Sequence, residues 1–130
     1  MNPQLWALAA VGIVVLAAVA LERVHSYRAG RAALSAEGSP SAAPYILYFT
    51  GNGCTVCRTH QEPALARLGE VRVDKVDAIA EHELAERFHV YTLPTTVVMS
   101  SSGKALHVNY GYAPAPKLER QLAEARTLTA

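Results

Sequence analysis

The two cysteines of this 130-residue chain, Cys54 and Cys57, follow a six-residue apolar run, Tyr45–Thr50. The run is aromatic and β-branched, with a proline before it and a Gly-Asn-Gly sequence after it, which predicts a buried strand. The amphipathic pattern that begins at the cysteines predicts a helix. The pair therefore lies where a strand turns into a helix N-terminus. There the helix dipole and the free backbone N–H groups favour the thiolate, which is the reactive form of cysteine.

Two thiols at this spacing can close into a disulfide and reopen by exchange, and a Cys-x-x-Cys pair beside a β-α-β pattern is a redox signal. Three other interpretations stay open. A structural disulfide would gain little chain entropy across so short a loop. A zinc site needs about four ligands, and His60 adds only a third, in the pattern Cys-x2-Cys-x2-His. The last alternative is a pair of buried, unreactive thiols. We favour redox exchange.

The segment Leu5–Leu21 carries no charged or polar side chain over 17 residues. As a helix it would be ~25 Å long, close to the minimum needed to span the hydrocarbon core of a bilayer. A cleavable signal peptide is the alternative, with Ala18-Val19-Ala20 as its small-x-small site. Residues 1–4 lack the basic side chains that precede such a segment. We therefore predict an uncleaved single-span anchor in the lipid bilayer.

The composition divides the chain into three segments. Residues 1–34 are expected to form the anchor helix and its basic extension, residues 35–44 a Ser/Ala/Pro/Gly linker, and residues 45–130 one globular domain. The net charge of +1 gives no indication of a nucleic-acid partner.

Apolar periodicity within the globular segment predicts the order β-α-β-α-β-β-α. The predicted elements are strand 45–50, helix 54–68 with a kink at Pro63, strand 71–76, helix 79–88, strands 95–99 and 105–110 joined by a turn at 100–103, and a last helix from Pro114 with Leu118, Leu122 and Ala125 inward. The first helix would point Val56, Ala64, Leu65 and Leu68 inward. The first three strands can pair in parallel through right-handed crossovers, and the hairpin adds an antiparallel strand.

Over residues 45–126 the chain resembles the thioredoxin family. The marks are the strand Ile46–Phe49, the pair Cys54 and Cys57, the helix proline Pro63, the sequence Thr92-Leu93-Pro94-Thr95, Gly111 after the last strand, and the closing helix. The resemblance implies an α/β thioredoxin-like fold, with a central mixed sheet flanked by helices, preceded here by a single N-terminal transmembrane helix. It also implies that the peptide bond before Pro94 is cis and lies beside the active-site disulfide.

The sequence departs from the family pattern in four places. Gly53 replaces the usual tryptophan before the first cysteine, and Thr55-Val56 replaces the usual Gly-Pro between the cysteines. Pro63 lies one residue further along the helix than usual. Tyr48 stands where the family has a buried carboxylate that helps to move the proton of the second cysteine. A phenol can relay a proton, although it is a poor base near neutral pH, so Tyr48 is the predicted proton relay.

The resemblance implies a membrane-tethered thiol–disulfide oxidoreductase that acts on protein disulfides. Cys54, nearer the helix N-terminus, would attack, and Cys57 would resolve the mixed disulfide, so that the pair alternates with a redox-active disulfide. Gly53, Leu93 and Pro94 would bind the substrate, with the backbone of Leu93 pairing with an extended segment. The expected partners are protein thiol or disulfide substrates and an upstream redox partner. No metal or organic cofactor is implied.

Two alternatives come from other functional classes: a non-catalytic thioredoxin-like module that binds a partner in a membrane complex, and a thiol protein that assists metal or haem maturation. The membrane topology is also open. Arg23, Arg28 and Arg31 follow the apolar segment, so the positive-inside rule predicts a domain on the cytoplasmic face. Tethered thioredoxin-like domains of bacteria usually face the oxidising side, and the extracytoplasmic face is the alternative.

Overall fold

The computed structural model describes residues 2–33, 38 and 40–128, in two compact units divided between Arg31 and Ala32. The first unit consists of helix α1 (Pro3–Ala33) as far as Arg31. Its segment Pro3–Arg28 is long and apolar enough to cross a membrane, and no part of its most apolar stretch is buried against protein. The predicted continuation of the helix beyond the apolar run is confirmed. Leu34 and part of the predicted linker, residues 35–37 and 39, lie outside the described residues.

The second unit is built around a four-stranded sheet with the strand order β2-β1-β3-β4. The strands are β1 (Tyr45–Thr50), β2 (Val73–Asp77), β3 (Thr95–Met99) and β4 (Ala105–Tyr110). β1 pairs in parallel with β2 and antiparallel with β3, and β3 pairs antiparallel with β4. The mixed sheet and the bounds of β1, β3 and β4 agree with the prediction.

The prediction that the first three strands run parallel is wrong, because β3 is antiparallel to β1. The helix before β3, α3 (His82–Arg87), has six residues. For β3 to run parallel to β1, the chain after α3 would have to return to the other end of the sheet before the strand begins, and it does not do so. β3 therefore starts where β1 ends, with Thr95 opposite Phe49.

Helix α3 also begins later than the predicted residue 79. The Asp77 carboxylate accepts hydrogen bonds from the backbone N–H groups of Ile79 and Ala80, at 2.9 and 3.1 Å. Such an Asx-type turn uses the first free N–H groups before a helix can do so. The chain therefore makes a turn over residues 78–81, and Ile79 is exposed to solvent.

The helix after the cysteines is divided. A π-helical turn, Cys57–Gln61, leads into α2 (Glu62–Ala66), and Pro63 lies in the first turn of α2. Proline has no N–H group and its ring clashes with the carbonyl four residues earlier, so a regular helix cannot continue through it. The backbone instead widens, and the N–H of Glu62 bonds to the carbonyl of Cys57, five residues back. The π-turn thus accommodates the one-residue displacement of Pro63.

Both faces of the sheet are covered, which explains why all six residues of β1 are buried. On one face α3 packs through Ala85, and the buried Phe88 follows it. On the other face lie the cysteine-bearing helix and α4 (Ala115–Leu128), which buries Leu118, Leu122 and Ala125 as predicted. Ala64 and Leu65 are also buried as predicted, and Leu68 is half-buried. The prediction for Val56 is wrong: 44% of it is exposed, because it lies at the solvent end of the helix between the cysteines.

Candidate active site

Cys54 and Cys57 form a disulfide with a Cα–Cα distance of 5.3 Å. Cys54 is half-buried, whereas Cys57 is fully buried beneath it. An incoming sulfur atom can therefore reach Cys54 more readily than Cys57. Within residues 2–33, 38 and 40–128, no group of three or more His, Cys, Asp or Glu side chains is placed to hold a metal ion. The ring of His60 is hydrogen-bonded to Thr59 instead, at 2.8 Å.

The backbone around Cys54 is arranged to stabilise a negative sulfur. The N–H of Cys57 donates to Sγ of Cys54 at 3.3 Å. The N–H of Cys54 donates to the carbonyl of Gly51 at 3.2 Å, which closes the turn that carries the sulfur to the helix N-terminus. Gly53 has φ +85°, a conformation that favours glycine, and a side chain there would project into open space. No side chain therefore covers Cys54 from position 53.

The loop before β3 lies against the loop before Cys54. The Leu93-Pro94 peptide bond is cis, as the resemblance implied. Cδ1 of Leu93 lies so close to Gly51 that a Cβ there would approach it to 3.0 Å. Pro94 is buried, and its carbonyl accepts a hydrogen bond from the N–H of Gly111 at 2.8 Å. The fold thus brings the predicted substrate-binding residues to the same end of the sheet as the disulfide.

Tyr48 is almost fully buried on the sheet face that carries the disulfide. Its hydroxyl donates to Oε2 of Glu62 at 3.3 Å, and Nζ of Lys75 donates to Oε1 of the same carboxylate at 3.1 Å. Tyr48 and Lys75 are neighbours in the β1–β2 register. Burial raises the pKa of Tyr48; its hydrogen bond with Thr50 opposes the rise, and the charge of Glu62 adds to it. The phenol is therefore neutral near pH 7 and acts as a donor to Glu62.

Comparison with known proteins gives matches to solved structures, whereas neither a family model nor a curated protein matches the sequence. The thioredoxin of Fasciola hepatica is 26% identical over 65% of this chain and 83% of its own, with a TM-score of 0.56. A thioredoxin-2 of the malaria parasite is 21% identical over 70% of this chain and 98% of its own, with a TM-score of 0.58. Oxidised mitochondrial thioredoxin 3 of Saccharomyces cerevisiae is 24% identical over 62% of this chain and 77% of its own, with a TM-score of 0.54.

The chain has the thioredoxin fold and is similar to thioredoxins. Its sheet and helices form the thioredoxin fold, and its Cys-x-x-Cys disulfide lies at the start of the helix beside a cis-proline loop. Together, the fold and the disulfide make it a thiol–disulfide oxidoreductase. The exchange needs no chemistry beyond the two sulfur atoms and a path for their protons.

Glu62 is a residue of this thioredoxin site that the sequence reasoning missed. In a regular α-helix a residue five positions after Cys57 would be rotated by about 140° around the axis, away from the sheet. The π-turn changes this rotation and brings the Glu62 carboxylate to Tyr48. The signal in the sequence for this π-turn was the spacing between Cys57 and Pro63, which is one residue longer than usual. The helix has to accommodate that additional residue.

Gln61 is the second missed residue. It is fully buried, and its side chain bonds to the backbone of Ala113, with Nε2 donating to the carbonyl at 3.0 Å and Oε1 accepting from the N–H at 2.9 Å. Nothing in a local pattern connects two residues that lie 52 positions apart in the sequence.

Proposed function

We propose that this thioredoxin-like protein is a membrane-tethered oxidoreductase that exchanges its Cys54–Cys57 pair with cysteines of protein substrates. The observation that carries the proposal is the half-buried Cys54 sulfur at a helix N-terminus, with the buried Cys57 beneath it. The absence of a side chain at the exposed Gly53, where even an added Cβ would have no neighbour within 4 Å, supports access to Cys54 from solvent.

The two thiols act in turn when the protein reduces a substrate. The Cys54 thiolate attacks a substrate disulfide, forming a mixed disulfide and releasing one substrate thiolate. Cys57 then attacks Sγ of Cys54, closing the intramolecular disulfide and releasing the second substrate thiol. Two electrons pass to the substrate, and the reverse sequence oxidises a dithiol. The backbone of Leu93, beside Pro94, would pair with the substrate segment that carries the cysteine.

Cys57 must lose its proton before it can attack, and its burial disfavours the thiolate. Glu62 is the proton acceptor in our proposal, with Tyr48 as the relay. The Cys57 proton would pass to the phenol oxygen while the phenol proton passes to Oε2 of Glu62, with which it already shares a hydrogen bond. Nζ of Lys75, at 3.1 Å from Oε1, would hold the Glu62 carboxyl group in position.

Membrane attachment is the second part of the proposal. The helix segment Pro3–Arg28 supports it by length and composition. Arg23, Arg28 and Arg31 follow the apolar stretch, so we propose that the thioredoxin domain faces the cytoplasm. A C-terminal alkaline phosphatase fusion tests the topology, because the phosphatase is active only outside the cytoplasm. Strong phosphatase activity would place the domain on the other face.

Turnover tests the catalytic part. The full chain in detergent micelles, supplied with a dithiol, should reduce a protein disulfide such as that of insulin, and Cys54→Ser should abolish the reaction. A parent protein with no activity above the dithiol alone would favour the alternative of a non-catalytic binding module. Metal that co-purifies in stoichiometric amount with the reduced protein would favour the metal-maturation alternative.

A further inference from the structure

The loop Gly111–Ala113, which follows β4, is held from two sides. On one side the N–H of Gly111 donates to the carbonyl of Pro94. On the other side the side chain of Gln61 bonds to both backbone groups of Ala113. The loop therefore joins the cis-proline loop to the helix that carries the disulfide, and each junction is a hydrogen bond to backbone.

The side-chain amide of Gln61 bonds to both backbone groups of Ala113. The amide donates one hydrogen bond and accepts another, as a neighbouring strand would do. Ala113 is fully buried, so water cannot replace these bonds. The position of Ala113 thus depends on the position of Gln61, which in turn is set by the π-turn Cys57–Gln61.

Tyr112, between these two anchored residues, extends into solvent. Its side chain is 47% exposed, and its ring packs against the His60 ring in a T-shaped arrangement with a centroid distance of 5.8 Å. Val56, on the same helix as His60, is exposed as well. Tyr112 thus lies beside the helix that begins at the disulfide, through its contact with His60.

We propose that Gln61 is a positioning residue for substrate recognition. It holds the Gly111–Ala113 loop in place so that Tyr112 forms one wall of the substrate site and contacts an apolar side chain near the substrate cysteine. The proposal rests on the proposed function, because it needs a peptide or protein substrate at Cys54. In this proposal, the π-turn Cys57–Gln61 before Pro63 has a role in substrate recognition, because it sets the position of Gln61.

A double-mutant cycle with the full chain in detergent tests the proposal. Gln61→Leu removes both bonds to Ala113, Gln61→Glu retains the acceptor but loses the donor, and Tyr112→Ala removes the wall. The assays are reduction of insulin and of a small organic disulfide, bis(2-hydroxyethyl) disulfide. Gln121→Leu is the matched control, because it breaks an amide pair with Asn109 on α4 and β4 instead.

We expect Gln61→Leu and Tyr112→Ala each to raise KM for insulin by about 10-fold with kcat nearly unchanged, the pattern of lost binding that is uniform between ground and transition states. Gln61→Glu should fall between Gln61→Leu and the parent. The double variant should be no worse than Tyr112→Ala alone, because Gln61 acts through the wall that Tyr112 provides. The small disulfide makes no contact with Tyr112 in this proposal. Its turnover by each variant should therefore stay within about twofold of its turnover by the parent.

Additive effects in the double variant, or an unchanged KM for insulin in both Gln61 variants, would overturn the proposal. If Gln61→Leu does not fold, Gln61→Glu and Tyr112→Ala still complete the test. A parent protein that reduces neither substrate would instead contradict the proposed function. Failure of the proposal for Gln61 can therefore be distinguished from failure of the proposed function.

Discussion

Replacing Gln61 with leucine should destabilise the thioredoxin domain, although the two side chains are similar in volume. The substitution leaves the N–H and the carbonyl of the buried Ala113 without partners, since Gln61 is their partner and water has no access. Each such group costs about 1–3 kcal/mol. The free energy of unfolding should therefore fall by about 2 kcal/mol at least, a large part of the ~5–15 kcal/mol typical of a domain.

Thermal unfolding of the full chain in detergent, followed by the near-UV circular dichroism of the tyrosines, measures this loss. For a domain of this size 1 kcal/mol corresponds to a shift in Tm of about 4–8 °C, so Gln61→Leu should melt at least ~8 °C below the parent. The control Gln121→Leu breaks a half-buried amide pair that water can reach. Its cost should be about 0.5–1.5 kcal/mol. Equal shifts for the two variants would refute the argument that the bridge to Ala113 is a buried, irreplaceable contact.

Three further outcomes concern the polar side chains of Glu62, Tyr110 and Tyr48. Glu62→Gln should slow closure of the disulfide by Cys57 by about 10-fold in rapid-mixing experiments. This is less than the ~10²-fold typical of a general base, because water can reach the half-exposed carboxylate. An unchanged rate would rule out Glu62 as the proton acceptor. Tyr110→Phe should raise the free energy of unfolding by about 1 kcal/mol, because the buried hydroxyl has no partner among the described residues; a destabilised variant would contradict this. Burial raises the pKa of Tyr48 above 10.0, so its neutral form stabilises the fold fully below pH ~10 and this contribution is lost as pH rises through the folded-state pKa. Tyr48→Phe should therefore lose less stability than the parent in alkaline denaturation, and equal slopes would speak against a raised pKa.

The parts of the fold that depend on short-range pattern were predictable from the sequence. The strands β1, β3 and β4 are apolar runs bounded by glycine, proline and serine, and their ends agree with the structure. The inward face of α4 follows from the spacing of Leu118, Leu122 and Ala125. The positions of Cys54 and Pro94 at one end of the sheet followed from the resemblance to thioredoxins.

The remaining features depend on contacts between distant residues or on one side chain that changes the backbone. The direction of β3 depends on the path of the whole connection between Asp77 and Thr95, which no local pattern specifies. The side chain of Gln61 meets Ala113 only after the fold has formed. The proximity of Glu62 to Tyr48 requires the π-turn, and helical periodicity alone would have placed it elsewhere.

Trapping of the mixed disulfide tests the central claim most directly. Cys57→Ser in the full chain leaves Cys54 able to attack but removes the thiol that resolves the intermediate. Incubated in its reduced form with disulfide-bonded insulin, this variant should accumulate a mixed disulfide through Cys54 that a dithiol releases, and Cys54→Ser should form none. If Cys57→Ser forms no adduct, or turns over like the parent, then Cys54 and Cys57 do not act as attacking and resolving thiols, and the account given above is wrong.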